Sequence, residues 1–294
     1  MIKYAVFKIQ IGGIMFKIIK FIIKSVLLIA LILAGLFFYA RFIEPNTLTE
    51  KSIEISSPYV SENADNLKIA VISDTHFSDD YDLEDFQKVI NSLEKNKPDL
   101  VLFAGDLIDN LDMFNGSPDD ISKALQSIKA PLGKYSIFGN HDYGGGAENE
   151  YEKILSAGEF KVLKNQYFAL DSHKISIIGI DDFMLGYGDI TKATWARDDY
   201  FNILLCHEPD IIDSILDYNI DLMVSGHTHG GQIHIPGYTE DFLPPYGKNY
   251  VKGLFEFDNS RLSKLYVNPG LGTTKIPLRF LSKPEITYIT ITQE

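Results

Sequence analysis

The pattern of apolar and polar positions divides the chain in two. Residues 25–40 read SVLLIALILAGLFFYA without a charge, and residues 18–23 extend the stretch across Lys20 and Lys24. About 20 apolar residues span the hydrocarbon core of a bilayer. The segment reaches that length when one of these lysines snorkels toward the headgroups. From Leu67 onward, short apolar runs alternate with helical stretches instead. LKIAVIS (67–73), DLVLFAG (99–105) and KYSIFG (134–139) predict buried strands. Between the first two, LEDFQKVINSLEKN (83–96) sets Phe86, Val89, Ile90 and Leu93 at helical spacing, and Pro98 closes that helix. A second helix is predicted over 119–128. The strand starts recur about every 33 residues, the length of a βαβ unit.

Further strands are predicted at 162–170, 174–180, 201–205, 220–225, 232–236, 252–258, 264–268 and 285–292, without helices between the late ones. The first half therefore reads as parallel and helix-covered, the tail as antiparallel and mixed. Two packed sheets with helices outside accommodate both. Residues 44–66 read as a polar tether with a short strand at 52–56. This gives three parts: a cytoplasmic tip and membrane anchor (1–43), the tether (44–66) and the main domain (67–294).

Charge sharpens the division. The 294 residues carry a formal net charge of −13. Lys3, Lys8, Lys17, Lys20, Lys24 and Arg41 against Glu44 give residues 1–44 a net +5, which leaves −18 on the rest. So acidic a body repels a phosphate backbone, and non-specific nucleic-acid binding is not expected. The basic residues before the apolar stretch predict a cytoplasmic N-terminus and a single-pass cell-membrane protein, with its acidic body outside the cytoplasm. A cleaved signal peptide fits less well, because Phe38 stands where a small residue would precede Ala40. A buried soluble helix fits least, since the stretch is apolar all round. The lone cysteine, Cys206, rules out an internal disulfide.

The polar residues at the strand ends carry the chemistry. After IAVIS comes Asp74-Thr75-His76, after LVLFA Gly105-Asp106, and after YSIF Gly139-Asn140-His141-Asp142. After NILLC comes His207, and after DLMVS Gly226-His227-Thr228-His229. Ligand sites of α/β sheets lie at the carboxyl ends of the strands, so the five blocks should converge there. Asp74, His76, Asp106, Asn140, His207, His227 and His229 supply mixed oxygen and imidazole donors, which suit Mn, Fe or Zn rather than Ca. Seven donors exceed what one catalytic metal uses and suit two divalent ions sharing a carboxylate. Extended backbone would turn His227 and His229 the same way, about 6.6 Å apart, one to each ion. Gly226, Gly230 and Gly231 let the backbone turn tightly there. Any one of these blocks is commonplace; their joint occurrence, in order, is not.

The blocks SDTHF, GDLID, GNHDY, CHEPD and GHTHGG resemble the calcineurin-like metallophosphoesterase superfamily, over about Leu67 to Gln232. Glu44-Pro45-Asn46, GGQ after the histidine pair and the tail NPGLGTTKIPLRFLSKPEIT (268–287) are similar to a narrower group of bacterial membrane-anchored phosphoesterases. The resemblance implies a four-layer α/β/β/α sandwich. It implies one metal on Asp74, His76, Asp106 and His229, and a second on Asp106, Asn140, His207 and His227, with Asp106 bridging. His141 would protonate the leaving oxygen, and Asp142 would orient it. The expected activity is hydrolysis of a phosphodiester or pyrophosphate bond of a membrane- or wall-associated substrate. A broad phosphomonoesterase, a pyrophosphatase of a nucleotide-linked acylated sugar in lipid A synthesis, and a metal-holding module without turnover are the alternatives.

Other residues have plainer readings beside functional ones. His234 lines the substrate pocket or is a strand histidine. Arg279 neutralises a substrate phosphate or makes a structural salt bridge. Asp109 and Asn110 support the site or cap a helix. Cys206 alternates away from His207 and reads as a core thiol, and His173 as a solvated turn. Trp195 with Tyr187 and Tyr200 forms a lid or packs in the core.

Overall fold

The structure, a computed structural model, describes residues 2–144, 146–235 and 237–294. Helix α1 (Ile2–Phe38) runs into a short π turn, Tyr39–Ile43. Its Met15–Ile43 part has a mean hydropathy of 2.7 and is long and apolar enough to cross a membrane. The helix ends against the body. Arg279 N–H donates to Ala40 O at 2.9 Å, and Ser282 N–H to the buried Glu44 carboxylate at 2.5 Å.

Strand β1 (Thr49–Ser57) follows at once. Within the 44–66 stretch it contains the short strand expected at 52–56 and extends it into the sheet. Its apolar Ile53 and Ile55 alternate with polar residues, so the strand can seat one face on the core. The first sheet has the order β1–β12–β2–β3–β4–β5, with β2 (Leu67–Ile72), β3 (Leu100–Phe103), β4 (Lys134–Ser136), β5 (Lys161–Val162) and β12 (Glu285–Gln293). All its pairs are parallel except β12 with β2. Helices α2 (Leu83–Asn96), α3 (Pro118–Ser127) and α5 (Glu148–Ala157) cover its outer face; α4 is the single turn Asn140–Tyr143. The cap chemistry sets their starts: Asp82 accepts the N–H groups of Glu84 and Asp85, and Ser117 that of Asp120 before Pro118.

The second sheet has the order β10–β11–β9–β8–β7–β6. Its strands are β6 (Gln166–Leu170), β7 (Ile175–Gly179), β8 (Phe201–Leu205), β9 (Leu222–Ser225), β10 (Gly253–Glu256) and β11 (Lys264–Val267). Four of them, β7, β8, β9 and β11, are parallel, in contrast to the antiparallel tail expected from the sequence. Strands buried on both faces read as continuous apolar runs, and β7, β8 and β9 are buried throughout. The crossovers contain 3₁₀ turns, Ile190–Trp195 and Pro209–Ser214, in place of α-helices. They form the outer layer over Ile178, Leu204, Met223 and Cys206. The two sheets face one another across Val71, Leu102, Phe201, Ile203 and Val224. The strand expected at 162–170 is split in two. That at 232–236 is reduced to one bridge, Ile233 to Phe280, and Pro236 lies outside the described residues.

Candidate metal centre

All five blocks meet at the carboxyl ends of the strands. Five of the seven expected ligands, Asp74, His76, Asp106, His227 and His229, have φ between 43° and 73°. Non-glycine residues rarely take this left-handed conformation, and where they do the surrounding fold must hold it. Here it bends the backbone sharply off each strand end. His227 and His229 consequently sit in a tight turn and not in extended backbone; His229 opens a 3₁₀ turn. Their rings still part company. His229 lies beside His76, with ring centroids 4.8 Å apart, and His227 beside His207, at 4.9 Å.

Asp106 occupies the middle. Its Oδ2 is 3.4 Å from His76 Nε2 and 3.1 Å from His207 Nε2. Its Oδ1 accepts the His141 backbone N–H at 2.8 Å. Asp74 Oδ1 lies 3.6 Å from His229 Nε2, which is 3.1 Å from His76 Nε2. Two sets, Asp74 with His76 and His229, and Asp74 with Asp106 and His207, have donor atoms close enough to hold a metal ion. The buried Asn140 Oδ1 has no hydrogen-bond partner, an acceptor that desolvation should not leave unpaired. These donors fit a pair of divalent cations.

Outer contacts fix which imidazole nitrogen faces inward. A carbonyl only accepts, so the ring N–H points at it. His207 Nδ1 bonds Ala104 O at 2.6 Å, and His76 Nδ1 the Asp109 carboxylate at 3.0 Å; each frees Nε2. His227 Nε2 bonds Pro245 O at 2.9 Å, which frees Nδ1 instead. Glycine permits the approach. A Cβ on Gly226 would overlap the Asp74 carboxylate, and one on Gly139 the Asp106 carboxylate.

Burial and mutual charge set the protonation states. Burial opposes charge on His76, but bonds to Asp106 and Asp109 outweigh it and lift its pKa to about 9. Burial also opposes charge on Asp106, yet His207 and His76 hold it well below the ordinary carboxylate range. Burial, then the neighbouring His207, drops His227 to about 4. Burial and His76 lower His229 as well. Two imidazoles are thus neutral already, as ligation requires.

The neighbouring side chains take positions that the sequence left open. Asp142 does not touch the His141 ring. Its carboxylate accepts N–H groups from Gly139, Asp106 and Leu107 at 2.7–2.8 Å, because it sits in the first turn of α4 and caps it. The residue that orients His141 is Asp109: its carbonyl takes Nδ1–H at 2.8 Å while its carboxylate holds His76. Asn110 merely caps a 3₁₀ turn. Arg279 is fully buried and outside the pocket. Its guanidinium donates to Gly272 O, Ser282 O and Pro269 O, and lies 3.5 Å from His229 Nδ1.

A cavity of about 680 Å³ opens over Asp106, Asn140, His141, His227 and His229. Ile233 and Ile235 line it; His234, between them, is not among the described lining residues, and its N–H bonds Phe280 O. Trp195, Tyr187 and Tyr200 also stay outside that lining; Tyr200 is buried and donates to Asp171. Cys206 is a buried core thiol, and His173 ends a 3₁₀ turn. Thr274 lies in the tail motif and does not stand out there; its Oγ1 bonds Asp109 at 2.9 Å and lies 3.5 Å from His141 Nε2.

Comparisons with known proteins agree with this geometry. The family model described as calcineurin-like phosphoesterase matches residues 67–231. The uncharacterized metallophosphoesterase YkuE of Bacillus subtilis is 43% identical over 267 residues, covering 89% of this chain and 92% of that protein. The phosphodiesterase YaeI of Escherichia coli is 30% identical over 87% of this chain and 92% of its own length. The UDP-2,3-diacylglucosamine pyrophosphatase LpxG of Chlamydia trachomatis is 29% identical over 84% of this chain and 90% of its own. With its five motif blocks gathered at one strand-end cluster, the chain belongs to the calcineurin-like phosphoesterase family and is a hydrolase of phosphoester bonds.

Proposed function

We propose that the protein is a dinuclear phosphodiesterase or pyrophosphatase held at the cell membrane by α1, with its acidic body outside the cytoplasm. The observation that carries the dinuclear reading is the Asp106 carboxylate, set between His76 and His207 beside the partnerless Asn140 Oδ1. Asp74, His76, Asp106 and His229 would hold one ion, and Asp106, Asn140, His207 and His227 the other. Manganese, iron and zinc all suit this donor set. When bound, such ions acidify water and offset the charge that develops on the phosphoryl oxygens.

The chain's own residues do the rest. Asp106 keeps its charge, and the His141 N–H donated to its Oδ1 fixes the orientation of the carboxylate. Asp109 holds the His141 ring so that Nε2, near Thr274, can hand a proton to the departing oxygen. Asp142 locks the backbone of Asp106 to α4. The diester and pyrophosphate preference takes support from relatives named phosphodiesterase and pyrophosphatase.

The test strips the full-length protein of metal, restores Mn, and compares bis-p-nitrophenyl phosphate with p-nitrophenyl phosphate. Faster metal-dependent cleavage of the diester is expected; faster cleavage of the monoester would make it a phosphatase. His141→Ala should cut turnover by about 10²–10⁴ while metal content stays. Unchanged turnover would remove His141 from the proton transfer.

A further inference from the structure

The cavity over the metal-ligand cluster is lined by the wrong chemistry for a phosphate group alone. Ile233, Ile235, Tyr238, Phe242, Leu243 and Ile276 build the wall facing the cluster. Three polar side chains beside them, Gln232, Thr239 and Thr228, are already engaged. Gln232 Nε2 donates to Thr274 O and Ile276 O, at 3.0 and 2.8 Å. Thr239 Oγ1 bonds Ile233 O and Ile235 O, and Thr228 Oγ1 bonds Val251 O. A base or sugar would find few free donors or acceptors on this wall. A hydrocarbon chain needs none.

The rim repeats the pattern. Phe242 is 86% exposed, Tyr238 72%, Ile276 53% and Ile235 45%. Such a run of apolar surface is costly in water and marks a place where apolar matter is met. The fold says where that matter comes from. The segment 279–282 lies between the membrane helix and the cavity wall. On one side Arg279 N–H bonds Ala40 O, and the Phe280 ring meets Tyr39 edge-on at 6.4 Å. On the other side Phe280 pairs with Ile233 and its N–H bonds Gln232 O. One short segment thus separates the end of the membrane helix from the cavity wall. Lys275 on the rim adds a cation suited to anionic headgroups.

Resting on the phosphoesterase reading above, we infer that the substrate is a lipid. Its phosphoester sits at the metal-ligand cluster, and its hydrocarbon chain lies along the Ile233–Phe242 wall and enters from the adjoining bilayer. The wall excludes water from the chain and leaves only the headgroup to the ligand cluster. The chain's burial supplies binding in proportion to its length.

The experiment uses the Mn-loaded full-length protein in phosphatidylcholine vesicles with two esters that share one leaving group, methyl and hexadecyl p-nitrophenyl phosphate. The expected result is a kcat/KM for the hexadecyl ester at least about tenfold above that for the methyl ester. Partitioning into the vesicle could raise that ratio without the wall. The double variant Ile235→Ser, Phe242→Ser therefore decides: it should lower the ratio by about tenfold. Tyr187→Ser, an exposed aromatic outside the cavity, should keep the wild-type ratio. Cleavage of both esters at equal kcat/KM, or a ratio untouched by the double variant, would overturn the lipid assignment and leave the phosphoesterase reading standing. Failure to cleave either ester with both metals bound would overturn both.

Discussion

Two walls face each other across the cavity, and they are built on opposite principles. The ligand wall is made of strand ends. Its groups are buried, charged or polar, and held by backbone strain and second contacts: Asp106 by His141 N–H, His207 by Ala104 O, His76 by Asp109. The facing wall is made of loop and a 3₁₀ turn, over 232–235, 237–245 and 274–276. Its groups are apolar, largely exposed, and held by a few hydrogen bonds such as Thr239 to Ile235. The first must present fixed charge to within a fraction of an ångström. The second needs only shape and the absence of water. The difference places fixed charge on the strand-end side and leaves shape and apolar surface to the loop side.

Substitutions can break this contrast, the largest effect coming first. Asp106→Ala removes the shared carboxylate, and hydrolysis should fall by at least about 10³-fold with loss of bound metal. Metal analysis beside an activity assay checks it. If both ions stay, the bridge is elsewhere. Asp109→Ala removes the carboxylate that holds His76 and lies 3.4 Å from His141 Nδ1, while the carbonyl bond to His141 stays. A second contact of this kind is worth about 10–100-fold in metal affinity or turnover. Titration with Mn and single-turnover rates would separate the loss through His76 from any loss through His141. A wild-type result in both would reduce Asp109 to a surface residue.

The pH dependence sharpens the contrast further. In the metal-free protein His76 has a pKa of about 9, raised above its ordinary 6.5. Below that value it carries a proton that an incoming ion must displace. Metal affinity should therefore fall as pH drops from 9 to 7, by up to about tenfold per unit for one proton. Stability of the metal-free protein runs the other way. The His76 contribution is fully present below pH 6.5 and is lost as pH rises through about 9. Calorimetric titration at several pH values, with denaturant melts of the metal-free form, tests both signs. A pH-independent affinity would mean that another group takes the proton. Ile233, Ile235, Phe242, Leu243 and Ile276 carry no ionisable group, so any chain-length preference that rests on them should not vary with pH over this range. The smallest effect is expected at Trp195→Ala, beyond the described lining of the cavity. Turnover should stay within twofold or so, since exposed positions away from the site rarely matter.

Legibility in the sequence divides along the same line. The helix over 83–96 is readable from the sequence, because the 3.6 spacing of Phe86, Val89, Ile90 and Leu93 and the break at Pro98 agree with the observed Leu83–Asn96. The parallel character of β7, β8 and β9 is not. Continuous apolar runs of four or five residues look alike in any sheet, and the crossovers lack the helices that would mark them. Strand β1 is legible only as a short strand at 52–56 within a tether, because its partner, β12, lies more than 200 residues away. In the structure Asp142 and Arg279 spend their side chains on backbone groups, and Thr274 does not stand out within the tail motif that contains it. Each depends on which side of a turn a residue faces, which spacing alone does not express.

The order of motif blocks after apolar strands determined the chemistry by itself, because a strand end is a local feature and its polar residue types are few. The length and apolarity of residues 15–43 likewise determined that the chain carries a segment able to cross a membrane. Only the tertiary structure decided that Asp109 orients His141, that Arg279 lies beneath the site, and that the apolar cavity wall stands one segment from the end of that helix. Those are contacts between residues 30 to 240 positions apart. Sequence periodicity carries no information across such distances until packing brings them together.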